Sequence, residues 1–104
     1  MGYGFKRMLA PWLSSNTNGE AIHFSGALVQ NTIAKELSNK TNTNFTFPVE
    51  FPNECIAAIP FNFQTGFGTP ITISIGNITK TGCTCCQSND LNVSCQIRVF
   101  AIGY

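Results

Sequence analysis

The sequence predicts an all-β fold, an antiparallel β-sandwich of about six short strands. Three observations lead there. Apolar and polar residues alternate with a period of two, most clearly where Phe45, Phe47, Val49 and Phe51 interleave with Thr46, Pro48 and Glu50. Turn chemistry rich in Asn, Ser, Thr, Gly and Pro interrupts the chain about every 8–15 residues. No stretch sustains a helical period.

Taken in order, residues 1–19 hold no lasting period and end in Ser14-Ser15-Asn16-Thr17-Asn18-Gly19. They read as a loosely ordered N-terminal arm or the end of something longer, with residues 20–104 forming the sandwich domain. Residues 20–30 alternate as a first strand, with Ile22, Phe24, Gly26 and Leu28 on one face. Residues 31–44 read as turns with at most one helical turn around 32–37. In the second strand, 45–51, Pro48 has no N–H to donate and argues for an edge or a bulge. Pro52-Asn53 is a turn, and 55–63 is a strand with apolar residues on both faces at its start. Residues 64–70 form a loop with Phe67 near its tip; Ile71, Ile73 and Ile75 mark a fourth strand. Gly76-Asn77 is either a hairpin turn or a bulge. Thr81-Gly82 is a break, 83–87 a further strand segment and 88–90 a turn.

The closing stretch poses the main question. One face of the extended chain carries Val93, Cys95, Ile97, Val99, Ala101 and Gly103. The other changes from Ser94, Gln96 and Arg98 to Phe100, Ile102 and Tyr104. Apolar character on two faces calls for cover on both, so this end is expected to be tied into a core or an interface.

Composition narrows the function. The 104 residues suit one domain. Charged residues make up 11%, against about 25% in soluble domains, and the net charge is +1. That balance gives no footprint for nucleic acid or an anionic membrane. No apolar run is long enough to span a bilayer. The Lys6–Leu13 stretch is too short and too interrupted for a secretion signal, so a cytoplasmic origin is expected and the sequons at Asn39, Asn44, Asn77 and Asn92 read as chance. The odd count of five cysteines fits free, buried thiols. Cys83-x-Cys85-Cys86 splits across two strand faces and completes no four-ligand zinc set, and no metal or other cofactor is expected.

His23, the sole histidine, belongs to no nucleophile–base–acid motif, so no catalytic residue is assigned and an enzyme is not expected. It reads as a hydrogen-bonded strand residue or as part of an oligomer interface. Phe61-Asn62-Phe63-Gln64-Thr65-Gly66-Phe67 interleaves rings with amides, which suits a neutral sugar; Asn62, Gln64 and Phe67 are the ligand candidates there. By position, the loops 64–69 and 88–92 are long and polar enough to reach a ligand, which adds Asn89 and Asp90.

Three segments, in order, then carry a resemblance. Phe45–Cys55 resembles the TFPxxFPNxC segment near the C-terminus of many tailed-phage and prophage tail fibres; Thr79–Thr84 resembles their SKTGFT; Phe100–Tyr104 sits where they end in WIAIGY. Roughly residues 20–104 are similar to the gp53-like C-terminal tip domain, itself similar to the six-stranded H-type lectin fold. Cys83 stands in place of the usual Phe, and Val99-Phe100 where Trp-Ile is common, which implies a repacked core. The Cys83/Cys85/Cys86 cluster is outside the family pattern, and no sugar-contacting residue of H-type lectins carries over. The resemblance implies a non-catalytic homotrimer on a virion tail fibre, assembled in the host cytoplasm. Its partner would be a host cell-surface glycan or outer-membrane protein, with no nucleic acid and no membrane insertion. The interface would involve Trp12, His23, Phe100, Ile102 and Tyr104. Two other readings stand beside it: a free-standing H-type-like carbohydrate-binding lectin, and a small cysteine enzyme or metal protein with a reactive thiol.

Overall fold

The computed structural model describes residues 13–62, 72–88 and 94–104. These form nine strands: β1 (Leu13–Asn16), β2 (Gly19–Phe24), β3 (Ala27–Thr32), β4 (Lys35–Leu37), β5 (Thr43–Thr46), β6 (Cys55–Asn62), β7 (Thr72–Gly76), β8 (Gly82–Ser88) and β9 (Cys95–Gly103). The six-stranded sheet runs β1-β2-β3-β9-β4, with β6 along the other side of β9; the three-stranded sheet runs β5-β8-β7. Every strand pairing is antiparallel. The all-β, antiparallel sandwich expected from the alternation is therefore the fold, built from more and shorter strands.

Strand β9 is the centre of the larger sheet. It pairs with β3 and β4 along one side and with β6 along the other. Its inward face, Cys95, Ile97, Val99, Ala101 and Gly103, is buried without exception. The core joins this face to Leu28 and Leu37, to Phe45, Phe47 and Phe51, and to Cys83 and Cys85 of β8. The alternation at 45–51 thus identified core residues, although only Phe45 of that set lies in a strand.

Several expectations change. The single strand at 20–30 is a hairpin, β2 and β3, joined through Ser25-Gly26, with Gly26 at φ +77. The reversal puts Ile22 on the outward face and Leu28 in the core, so they do not share a face. The left-handed φ is what a two-residue hairpin turn demands, and glycine adopts it without strain. The helical turn around 32–37 is instead β4, because Lys35–Leu37 finds an open edge of β9 to pair with. The Gly76-Asn77 break is neither a two-residue turn nor a bulge. Residues 77–81 form a loop in which Thr79 Oγ1 accepts from the Thr81 and Gly82 amides, each at 3.2 Å. Within the stretch read as an arm, Leu13–Asn16 forms β1.

Residues 47–51 leave the sheet yet stay fixed, because their backbone groups are paired elsewhere. Phe47 N and Phe51 N donate to the carbonyls of Thr81 and Lys80, each at 2.9 Å. Buried Gln30 reaches across from β3: its Nε2 donates to the Val49 carbonyl at 2.8 Å, and its Oε1 accepts from the Val49 amide at 2.9 Å. Pro48, expected to face outward, is buried, and its carbonyl accepts from Asn16 Nδ2 at 2.7 Å. Gln30→Ala removes both partners of Val49 and is expected to destabilise the chain by about 2–3 kcal/mol, the cost of unpaired polar groups. Urea unfolding monitored by tryptophan or far-UV signal measures this, with Gln96→Ala on the outward face as a near-neutral control.

Candidate functional site

Two features of the larger sheet could serve a function, and both follow from strand register. The first is its outward face. Leu13, Ile22, Val29, Ile102 and Ala57 stand directly opposite one another in turn, forming an apolar row across β1, β2, β3, β9 and β6. The next row runs Ser15, Glu20, Asn31, Phe100 and Ile59, polar at its β1 end and apolar at its β6 end. Ile102 is 38% exposed, Phe100 40% and Ile59 58%, and Phe61 lies beside them. Side chains in such rows are close enough to act as one surface. Beneath this face the Asn31 Oδ1 is buried without a hydrogen-bond partner among the described residues. Among the described residues, none supplies the second cover foreseen for the closing strand at Phe100 and Ile102.

The second feature is a cavity of about 320 Å³ at the end of the sheet. The β2–β3 hairpin supplies His23, Phe24 and Gly26; Val49, Pro52 and Asn53 form the opposite wall; Tyr104 borders it. Each part is held. The Gln30–Val49 pair fixes one wall. The Tyr104 main-chain oxygen accepts from the amides of Asn53 and Glu54 at 2.7 and 2.8 Å, while its amide donates to the Glu54 carbonyl at 3.0 Å. His23 Nε2 is hydrogen-bonded to Ser14 Oγ at 2.8 Å, so β1 sets the ring's orientation. Among the described residues, no Asp, Glu, Lys or Arg side chain lines the cavity.

The residues singled out from sequence fall as follows. Phe100 and Ile102 belong to the outward apolar face, and Tyr104, 45% exposed, lies between that face and the cavity. His23 lines the cavity and is not in the apolar rows. Asn62 is exposed at the end of β6. Trp12, Gln64, Phe67, Asn89 and Asp90 lie outside the described residues. Sequence reasoning missed the cavity. The Ser25-Gly26 dipeptide was the available signal, since a turn there brings His23 and Phe24 to one end.

All five cysteines are free thiols. Burial pushes the Cys55 and Cys95 thiols above their usual range. Cys83 and Cys85 point inward from β8 and share a hydrogen bond that raises Cys83 and lowers Cys85. Cys85 has no exposed surface, so its lowered thiol cannot meet a substrate.

The family model of the gp53-like C-terminal tail fibre domain matches residues 23–104. No curated protein matches the chain. A C-terminal segment of the R1 pyocin fibre of P. aeruginosa is similar at a TM-score of 0.67 and 24% identity, over 88% of this chain and 27% of that one. An N-truncated R1-type pyocin tail fibre has a TM-score of 0.67 at 22% identity, over 100% of this chain and 97% of that one. A C-terminal segment of the R2 pyocin fibre of P. aeruginosa reaches 0.71 at 16% identity, over 88% and 25%. The chain thus spans about a quarter of the longer pyocin segments, and at these identities the likeness shows a shared fold.

Proposed function

Because the chain belongs to the gp53-like family of tail fibre C-terminal domains, we propose that it is the non-catalytic, receptor-binding tip of a phage or prophage tail fibre, assembled as a homotrimer. The receptor is a host cell-surface glycan or an outer-membrane protein, and the assembled protein resides on the virion. The observation that carries the reading is the apolar row from Leu13 to Ala57, continued by Phe100 and Ile59. Exposed apolar surface of this extent, rimmed by polar groups, is characteristic of association sites. A second copy laid on it would cover the outward face of β9. The number three comes from the family resemblance; the apolar face supports association itself.

The cysteines fit this role as packing groups, since the buried thiols face the core and not a cleft. Light scattering at micromolar concentration is expected to give three times the 11.3 kDa chain mass; a clean monomer overturns the assembly. Adsorption of the fluorescently labelled protein to a panel of bacterial strains, before and after periodate oxidation, tests the receptor. Loss on oxidation identifies a glycan, persistence identifies a protein, and no adsorption to any strain overturns the reading.

A further inference from the structure

The geometry points to the cavity between the β2–β3 hairpin and the Pro52-Asn53 turn as a binding site for a neutral saccharide, a site distinct from the loops flagged by the sequence. This inference rests on the receptor-binding reading and says where, and with what chemistry, the receptor is held. At about 320 Å³ the cavity falls at the lower end of the roughly 300–1,000 Å³ typical of small-molecule sites, a size for one or two sugar rings and not for an extended peptide.

Its chemistry matches a sugar on both counts. Phe24 is 55% exposed and Tyr104 45%, and both aromatic residues border the cavity. The apolar C–H face of a pyranose packs on such rings. The polar residues lining the site are Asn53, His23 and Tyr104, residue types that can bond a sugar hydroxyl. With Nε2 engaged by Ser14, His23 has Nδ1 left for a ligand. Among the described lining residues no Lys or Arg side chain meets an anionic sugar or a phosphate, and no Asp or Glu side chain meets a cationic ligand.

The site is also preformed. Its walls are fixed by the Gln30–Val49 pair, the Tyr104 main-chain bonds to Asn53 and Glu54, and the Ser14–His23 bond, so little ordering remains for the ligand to drive. Gly26 carries no side chain to intrude: a Cβ added there would meet nothing within 4 Å.

The test uses the isotopically labelled 104-residue chain titrated with methyl glycosides of glucose, galactose, rhamnose and N-acetylglucosamine. Amide shifts at His23, Phe24, Asn53 and Tyr104 are expected with at least one of them. Phe24→Ala and Asn53→Ala are expected to weaken binding tenfold or more while leaving the melting temperature and oligomer size unchanged. Shifts confined to residues 64–70 or 89–92, or none with any of the four sugars, overturn the inference. Cell adsorption separates its failure from that of the parent reading. If the wild-type protein adsorbs and both variants adsorb equally, the cavity is not the site and the receptor role stands. If the wild-type protein adsorbs to no strain, the receptor role fails and the inference falls with it.

Discussion

Ile102→Asp is expected to convert the proposed assembly into a folded monomer. Ile102 sits within the apolar row, between Val29 and Ala57. In the single chain it is 38% exposed, so an aspartate there remains hydrated and costs the monomer little. In an assembly that covers this face the same carboxylate loses its water. An unpaired buried charge costs several kcal/mol, and removing a fully buried isoleucine forfeits about 1.5–3 kcal/mol more. Symmetry repeats both costs in every subunit, so association weakens by well over a thousandfold, since each 1.4 kcal/mol is a factor of ten. Light scattering or sedimentation should report the mass of one chain, with an unchanged far-UV spectrum. Ser74→Asp, exposed on β7 of the other sheet, should leave the size of the assembly unaltered. If Ile102→Asp remains a full assembly, the outward face of β9 is not the interface and the proposal loses its physical basis.

How much of this was legible in the sequence depends on the range of the interaction. The inward set of β9 could be read directly, because period-two alternation is a local property and Ile97, Val99 and Ala101 have no exposed surface. The core phenylalanines were legible for the same reason, although the strand they suggested was not. Phe47 and Phe51 are held by bonds to residues 80–81 and through Gln30, and such distant pairings leave no mark in the 45–51 pattern. The hairpin at Ser25-Gly26 was a missed local signal: alternation carried on plausibly through 20–30 and hid a turn dipeptide. Helix for 32–37 lost to tertiary context, since a free edge of β9 offered Lys35–Leu37 three residue pairings.

The two candidate sites differ in the same way. Phe100 and Ile102 announced an uncovered face from the sequence alone, because their side of the strand turns apolar just where the other side is already apolar. That the face extends to Leu13, Ile22, Val29 and Ala57 needs the register of four neighbouring strand pairs. The cavity needs more still. Asn53 and Tyr104 are far apart in sequence and meet only because the Tyr104 oxygen accepts from two successive amides. His23 was noticed as a lone histidine, but its partner Ser14 lies in a stretch that carried no pattern.

Phe51→Ala is expected to cost about 3–5 kcal/mol, the range for truncating a buried aromatic residue. Phe51 has no exposed surface and meets Phe47 edge to face, with centroids 5.4 Å apart at 78°. Its ring also fills the space above Gly103: a Cβ built on that glycine would lie 2.8 Å from Phe51 Cδ1 and would collide with the Glu54 carbonyl oxygen. The absence of a side chain at 103 and the large ring at 51 are thus complementary, and the void left by alanine cannot be filled from β9. The loss is a large share of the roughly 5–15 kcal/mol that holds a typical domain folded. It also has a local consequence, because residue 51 anchors the turn carrying Pro52 and Asn53. Hydrogen exchange should therefore show the Asn53 and Glu54 amides, bonded to Tyr104, losing protection before those of central β9. Phe51→Leu, which retains much of the volume, should cost less than half as much in urea unfolding. Equal and small losses for both variants, below about 1 kcal/mol, would contradict a close-packed ring at this position.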